Sequence, residues 1–212
     1  MITPTFNLLK STSFPADPTL VPVGQYLTAS VFTGYPLSRG SIHITGPEMD
    51  DESDFNTGFF SDAKDVDILK HLWAYKKQRE IFRRMKTYRG EVEILHPKFA
   101  PNSAAALVRL DDSPPASENI SDLEYTAEDD EAIKQWAREQ VGTTWHSMGT
   151  CRMGAREDNA VVDPSLSVYG VKGLKVADMS IPPLNVAANT MNTAVAIAEK
   201  AADIFIKELG LS

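Results

Sequence analysis

The sequence predicts an α+β fold, a mostly antiparallel sheet with flanking helices. Helical periodicity runs through residues 62–86 and 192–209, and a shorter helix is predicted at 128–140. Short segments at 38–45, 161–162 and 174–176 carry apolar residues, are bounded by glycine and proline turns, and indicate strands. No internal repeat or low-complexity tract interrupts this order, so one domain of ordinary size accounts for most of the chain.

Composition and charge exclude several classes of function. The 212 residues are 42% apolar and 24% charged, with a net charge of −8 at neutral pH. A nucleic-acid partner is not expected, because phosphate-backbone binding needs a basic face. The single cysteine, Cys151, excludes an internal disulfide and a cysteine-rich metal site, and the four histidines are too scattered for a zinc site.

The two ends of the chain carry no targeting pattern that we recognise. Residues 1–18 lack a basic segment followed by an apolar one, so we expect no signal peptide. No apolar run reaches the roughly 20 residues that span a bilayer, and the last residues are not a Ser-Lys-Leu type peroxisomal address. Residues 1–25, with four prolines, are predicted to be an extended lead-in to a domain at 26–210.

The first half of the chain is predicted to form a strand and then a helix. In the strand at 38–45, Ile42 and Ile44 share one face, and the acidic residues 48–54 that follow should form a solvated loop. The helix at 62–86 places Val66, Leu69 and Trp73 on one apolar face. Its basic cluster is predicted to be a solvated face paired with neighbouring acids and comprises Arg79, Arg83, Arg84 and Lys86.

The second half begins with a polar, proline-bearing linker at 111–122. Thr126 is the predicted N-cap of the next helix, whose first turn is acidic and suits the positive end of the helix dipole. The final helix should end at Gly210. Its predicted apolar stripe consists of Val195, Ala198, Ala202, Phe205 and Leu209.

The segment WHSMGTC at residues 145–151 is the strongest candidate for chemistry. His146 follows a tryptophan and precedes a small, turn-prone run just after a helix, which would project its imidazole from the end of an element. On this local pattern alone, a histidine satisfied within the core is the simpler interpretation. A nucleophilic pair of Cys151 and His146 is conceivable, although five residues around a Gly-Thr turn give poor geometry.

An ordered series of segments then resembles the C-terminal signature of the glucose–methanol–choline (GMC) oxidoreductases. The segments are WHSMGTC at 145–151, VDP at 162–164, VYGVKGLKVADMS at 168–180, ANT at 188–190 and AEKAAD at 198–203. A second set is similar to the fungal alcohol (methanol) oxidases. It comprises GYPLSRGS at 34–41, HI at 43–44, GPE at 46–48, WAYKK at 73–77, RRM at 83–85, GEV at 90–92 and EDD at 128–130. Together they cover roughly residues 25–210.

The resemblance implies FAD as the cofactor and a particular place for this chain in the enzyme. Family members begin with an FAD-binding region that carries a G-x-G-x-x-G fingerprint, and no such motif occurs in these 212 residues. The chain is therefore expected to be a C-terminal, substrate-side part that lacks this region. Its last strand and helix should complete the absent FAD-binding domain, and alone it should hold FAD poorly.

The resemblance also assigns roles to residues. His146 would face the flavin and take the hydroxyl proton of the alcohol, a role that suits a side chain titrating near neutral pH. Asn189 would hydrogen-bond the substrate oxygen; it could also satisfy free N–H groups at the start of the last helix, and both roles can hold together. The expected cofactor-binding residues are Trp145, Asp178, Met179, Asn189 and Thr190, and no metal is expected.

Three functions remain open from the sequence. The first is an alcohol oxidase that converts a small primary alcohol to an aldehyde and reduces O₂ to hydrogen peroxide. The second is a truncated, non-catalytic module that binds no flavin, and the third is a cysteine–histidine hydrolase. The resemblance further implies homo-oligomers and a cytoplasmic or peroxisomal location, without a membrane partner.

Overall fold

The computed structural model describes residues 6–7, 19, 21, 23–110 and 120–211. Most of the predicted lead-in at 1–25 and residues 111–119 of the predicted linker lie outside the described residues. The chain forms two compact units, each built from two stretches of sequence. The first consists of Met1–Thr33 and Phe59–Thr144, and the second of Gly34–Gly58 and Trp145–Ser212.

Two helices pack together to form the core of the first unit. Helix α1 spans Val66–Arg83 and helix α2 spans Ala127–Gln140, while strand β1 (Phe6–Asn7) pairs in parallel with strand β2 (Ala29–Ser30). A 3₁₀ turn lies at Glu93–Leu95. The core between the helices is formed by Ile68, Tyr75, Ile133 and Ala137, with Phe99, Tyr125 and Trp136 packed against it.

Helix α1 buries a different face from the one that its apolar pattern suggested. Ile68, Tyr75 and Phe82, seven residues apart, are buried, whereas Leu69 and Trp73 are 47% and 64% exposed. The predicted stripe of Val66, Leu69 and Trp73 is therefore wrong as a core face. Apolar residues lie on two sides of this helix, and the buried side is decided by aromatic packing with α2, a contact that local periodicity does not encode.

The prediction that Arg79 belongs to a solvated basic face is also wrong. Arg79 is 1% exposed, and its Nε and Nη2 donate to the two carboxylate oxygens of Glu91 at 2.7 and 2.8 Å. Its Nη1 donates to the carbonyl of Ala105 and to Tyr125 Oη. A buried arginine needs such partners, and they come from distant parts of the chain. The neighbouring Arg83 and Arg84 do pair with an acid, Glu80, as expected.

The predicted start of α2 is confirmed as a capping box. Thr126 Oγ1 accepts a hydrogen bond from the backbone N–H of Asp129, whose carboxylate accepts one from the backbone N–H of Thr126. Two N–H groups at the helix end, which lack partners within the helix, are satisfied in this way.

Replacing Thr126 with alanine should lower the free energy of unfolding by about 1 kcal/mol, because the cap is lost while the helix sequence stays the same. Urea unfolding followed by circular dichroism measures this change. Thr126→Ser keeps the hydroxyl and is the matched control. An alanine variant as stable as the serine variant would contradict the prediction.

The second unit contains a small antiparallel sheet and one long helix. Strand β3 (Ser41–His43) pairs with strand β4 (Asp54–Asn56), so the predicted strand at 38–45 is confirmed over three residues. The acidic residues 48–53 between these strands are exposed, as predicted. Ile42 and Ile44 are also exposed and add nothing to the core. The runs predicted as strands at 161–162 and 174–176 form only isolated bridges, Met153 to Val162, Val162 to Val168 and Ser167 to Lys175.

Helix α3 spans Met191–Glu208 and its C-cap is Leu209. Gly210, the predicted stop, follows directly and lies outside the helix. The Gly210 and Leu211 N–H groups donate to the carbonyls of Lys207 and Ile206, the two bonds of a Schellman motif. Phe205 of the predicted stripe meets the core, together with Ala201, Ile197 and Ile204, which lie outside that stripe. Of that stripe, Val195, Ala198, Ala202 and Leu209 are exposed. This helix is apolar on more than one side, so its period alone leaves the buried side ambiguous.

No helix within the described residues is long and apolar enough to cross a membrane.

Candidate active site

Two loop segments of the second unit run side by side and bring the motif at 145–151 next to residues 178–181. The backbone N–H groups of Gly149, Cys151 and Met153 donate to the carbonyls of Met179, Ser180 and Ile181 at 3.2, 2.9 and 2.8 Å. This ladder fixes one segment against the other through main-chain bonds, which depend little on the side chains involved.

His146 is held at both ring nitrogens by two consecutive residues at the start of α3. Its Nε2 lies 3.1 Å from Asn189 Oδ1, and its Nδ1 lies 3.0 Å from Thr190 Oγ1. The imidazole is partly buried, while Asn189 is exposed. The structure thus brings together three of the residues that the sequence singled out, although more than forty positions separate His146 from the other two.

Neither of these side chains caps helix α3. Thr190 occupies the N-cap position, with a helical backbone conformation and no side-chain capping bond, and its hydroxyl meets His146 instead. The alternative interpretation of Asn189 as the capping residue is not supported, because its side-chain oxygen also meets His146. A threonine at an N-cap normally accepts a bond from the helix backbone, so this arrangement departs from the local rule.

The polarity of the two hydrogen bonds is linked to the tautomer of the His146 ring. With the Asn189 oxygen facing Nε2, Nε2 donates to Asn189 Oδ1, because a carbonyl oxygen only accepts, and Nδ1 of the neutral ring accepts from the Thr190 hydroxyl. Turning the Asn189 amide by 180° would present its NH₂ group to Nε2. Nδ1–H could then donate to Thr190, and Nε2 would become an acceptor.

Unusual backbone conformations position both ends of this cluster. Trp145, immediately before His146, has φ of 57° and is more than half exposed. Gly149, three residues after His146, has φ of 82°, a left-handed conformation that costs glycine little free energy. On the other side, a Cβ placed on Gly34 would lie 2.8 Å from the Ala187 side chain, so the loop that leads to Asn189 packs directly against a glycine backbone.

An open groove of about 520 Å³ lies beside the backbone ladder. Its lining is formed by Ser147, Met148, Thr150, Ala177, Asp178, Met179, Ser180 and Ala194. The structure therefore places two predicted cofactor-binding residues, Asp178 and Met179, on this groove. The Ser180 hydroxyl and the backbone N–H of Ser180, which donates to Asp178 Oδ1 at 2.8 Å, hold the pKa of the Asp178 carboxyl below its ordinary value, which keeps it ionised.

Sequence reasoning missed several lining residues, although signals for them existed. Ser147, Met148 and Thr150 lie inside the motif that contains His146. Ala194 lies four residues after Thr190, one helical turn further along α3, and its N–H donates to the Thr190 carbonyl. Ser180 could have been recognised from its spacing to Asp178, because an aspartate often accepts a bond from the backbone two residues on.

Cys151 does not pair with the imidazole. Its backbone N–H donates to Ser180 in the ladder, while the ring nitrogens of His146 are engaged by Asn189 and Thr190. A thiolate nucleophile needs an adjacent base within hydrogen-bonding reach. This geometry gives no support to a cysteine–histidine hydrolase.

Comparisons with known proteins agree on one family. The family model described as GMC oxidoreductase matches residues 36–198. Among curated relatives, Alcohol oxidase 1 of Komagataella phaffii is 39% identical over 241 aligned positions, which cover 94% of this chain and 36% of the relative. The chain thus spans about a third of the length of the curated relatives that it matches first.

Solved structures give the same result at the level of the fold. An FAD-dependent oxidoreductase from Chaetomium thermophilum matches with a TM-score of 0.58 and 28% identity, over 84% of this chain and 26% of that one. A fungal aryl-alcohol oxidase matches with a TM-score of 0.57 and 29% identity, over 83% of this chain and 24% of that one.

Proposed function

This chain belongs to the GMC oxidoreductase family, and we propose that residues 26–210 form the substrate-side, C-terminal domain of an FAD-dependent alcohol oxidase. The reaction would convert a small primary alcohol to an aldehyde and reduce O₂ to hydrogen peroxide. The observation that carries this proposal is the hydrogen-bonded cluster of His146, Asn189 and Thr190 beside a groove. A base paired with an orienting amide is the equipment that oxidation of a hydroxyl group requires.

The residues that line the groove in the second unit fit a flavin cofactor. Met148, Ala177 and Met179 give the groove apolar surface on which a flat ring system can lie. The ionised Asp178 carboxylate can accept hydrogen bonds from hydroxyl groups such as those of a ribityl chain. We propose that FAD is held by Trp145, Asp178, Met179, Asn189 and Thr190. FAD, when bound, supplies the acceptor for the hydride that leaves the alcohol carbon.

His146 acts in this proposal as the general base. In the tautomer that carries its proton on Nδ1, Nε2 accepts the hydroxyl hydrogen of the alcohol and takes that proton as the hydride leaves the carbon. The positive imidazolium then stands where negative charge develops at the reacting centre, and its electrostatic attraction stabilises that charge.

Asn189 orients the alcohol in the same proposal. With its amide turned so that NH₂ faces the substrate, it donates a hydrogen bond to the alcohol oxygen and leaves Nε2 free as the acceptor. An amide does not titrate near neutral pH, so it positions the substrate without competing for the proton.

The exposed apolar side of helix α3 supports the proposal that another protein segment covers this helix. Met191 and Leu209 are 73% and 71% exposed, and Val195 and Ile206 on the same helix are also largely exposed. Several large apolar side chains on one helix are characteristic of a surface that another element covers. We propose that the last strand-like segment and α3 complete the FAD-binding domain.

Peroxide and aldehyde release test the proposed function. The chain is produced joined to an FAD-binding region, either that of its own gene or that of a similar alcohol oxidase, and supplied with a primary alcohol and O₂. One aldehyde and one hydrogen peroxide per alcohol consumed is the expected result. A yellow, flavin-loaded protein that consumes no alcohol would overturn the proposal and favour a non-catalytic module.

Residues 1–212 alone should bind FAD weakly. The pyrophosphate of a dinucleotide normally rests on a glycine-rich turn and the N-terminus of the helix that follows, and this sequence has no G-x-G-x-x-G motif. Isothermal titration of the chain with FAD measures the affinity. A submicromolar dissociation constant would contradict this expectation.

A further inference from the structure

We propose that Thr190 is a positioning residue for His146, because its hydroxyl, 3.0 Å from Nδ1, can accept the Nδ1 hydrogen and so supports the tautomer whose Nε2 takes a proton from a bound alcohol. The inference rests on the proposed function, in which His146 is the base. It gives Thr190 a role toward the imidazole, separate from any contact with the cofactor.

The geometry leaves the Thr190 hydroxyl available for this task. Its Oγ1 lies 3.0 Å from Nδ1 and makes no capping bond to the α3 backbone. The residue itself is held firmly, since its carbonyl accepts the N–H of Ala194 in the first turn of the helix. A threonine side chain also has few χ1 states, so the hydroxyl stays aimed at the ring.

The chemistry of imidazole makes the partner of Nδ1 important. A neutral ring has one N–H. A proton on Nδ1 leaves Nε2 as an acceptor, whereas a proton on Nε2 means that Nε2 can no longer act as the base. When Nε2 accepts the alcohol proton, Nδ1 keeps its own hydrogen. The bond from Nδ1–H to the Thr190 oxygen therefore persists before and after proton transfer, and the ring need not turn.

Asn189 favours the opposite tautomer when no alcohol is present. Its Oδ1, at 3.1 Å, accepts Nε2–H, and the Thr190 hydroxyl can then donate to Nδ1. A hydroxyl serves both tautomers, since it donates and accepts. An alcohol that donates to Nε2 displaces Asn189 Oδ1, and Thr190 then accepts from Nδ1–H. Valine at position 190 could supply neither bond.

Nitrogen NMR of the histidine ring tests the contact without flavin or alcohol. The chain is labelled with ¹⁵N-histidine, and the His146 ring signals are identified by their loss in His146→Gln. Thr190→Val should shift the Nδ1 resonance of His146, because that atom loses its hydrogen-bond partner at almost unchanged side-chain shape. Thr190→Ser, which keeps the hydroxyl, and Thr193→Val, a matched control on the first turn of α3, should leave it near the wild-type position. Unmoved ring resonances in Thr190→Val would overturn the proposal.

Kinetics of the flavin-loaded protein separate this inference from the proposed function. Thr190→Val should slow anaerobic flavin reduction by alcohol about 5- to 10-fold, the worth of one net hydrogen bond, with little change in alcohol affinity. Thr190→Ser should restore the rate. If His146→Ala slows reduction but Thr190→Val does not, the positioning role is overturned while the proposed function stands. If the wild-type protein is not reduced by alcohol, the proposed function fails, and the NMR result alone decides whether the Thr190 hydroxyl holds Nδ1 of His146.

Discussion

Replacing His146 with alanine should slow anaerobic reduction of the bound flavin by a primary alcohol about 10²- to 10⁴-fold, the usual contribution of a positioned acid–base group. The variant removes the only base in the cluster and leaves Asn189 and Thr190 in place. Stopped-flow absorbance of the flavin-loaded protein measures the rate directly, with oxygen excluded so that reoxidation does not interfere.

Two other substitutions give this experiment its internal comparison. Asn189→Ala should slow reduction less, because it removes one orienting hydrogen bond of about 1–3 kcal/mol and keeps the base. Cys151→Ser should have little effect, since the thiol takes no part in the proposed chemistry. A Cys151→Ser variant more impaired than His146→Ala would show that these roles are wrong.

Replacing Arg79 with methionine should destabilise the first unit by about 3–5 kcal/mol. Arg79 and Glu91 are both almost fully buried and form a two-point ion pair, and Arg79 also donates to Ala105 and Tyr125. Methionine has similar length but no charge, so the Glu91 carboxylate would be left buried without its partner. Urea unfolding of the variant measures the loss of free energy.

A double replacement provides the sharpest control for this pair. Arg79→Met together with Glu91→Met removes both charges and should recover part of the lost stability, because no unpaired ion remains buried. Arg138→Ala breaks an exposed arginine–aspartate pair, with Asp65, and should cost less than about 1 kcal/mol. An Arg79→Met variant no less stable than Arg138→Ala would contradict the assignment.

The same ion pair predicts the direction of the pH dependence of stability. Burial alone would raise the pKa of Glu91, but the hydrogen bond and charge of Arg79 outweigh it and hold that pKa below its ordinary value. A carboxyl with a lowered pKa in the folded state contributes stability that is fully present above its unfolded pKa of about 4.3. That contribution should be lost as the pH falls through the folded pKa, and the Arg79→Met variant should lack it.

The boundaries of α2 and α3 were predicted well, because their signals are local, whereas α1, predicted at 62–86, spans only Val66–Arg83. The cap at Thr126 and the stop at Gly210 each depend on residues within one helical turn, and the structure confirms both. The existence of a strand near residue 42 followed from turn residues on its flank in the same way.

The buried faces of helices were predicted poorly, because they depend on partners distant in sequence. Ile68 rather than Leu69 is buried because α1 packs against α2, whose one aromatic residue, Trp136, lies against the same core. Arg79 was predicted on the surface because its charge suggests solvent, and nothing local indicates that Glu91 and Tyr125 enclose it.

In the candidate site, too, local sequence predicted the residues better than it predicted their contacts. The identities of His146 and Asn189 as candidates followed from the motif order, which resembles a family signature. The contact of Thr190 with His146 could not be predicted, because a threonine at a helix start is expected to cap the helix. Only the folded chain brings Nδ1 within 3.0 Å of that hydroxyl.

The central claim is that His146 and Asn189 both hydrogen-bond the alcohol oxygen. A crystal structure of the flavin-loaded protein with a fluorinated primary alcohol that reacts slowly tests this claim most directly. The account predicts that the alcohol oxygen lies about 2.6–3.2 Å from His146 Nε2 and within hydrogen-bonding distance of the Asn189 amide, with the Nδ1 contact to Thr190 kept. An alcohol bound away from both side chains, in a protein that still oxidises it, would contradict the account.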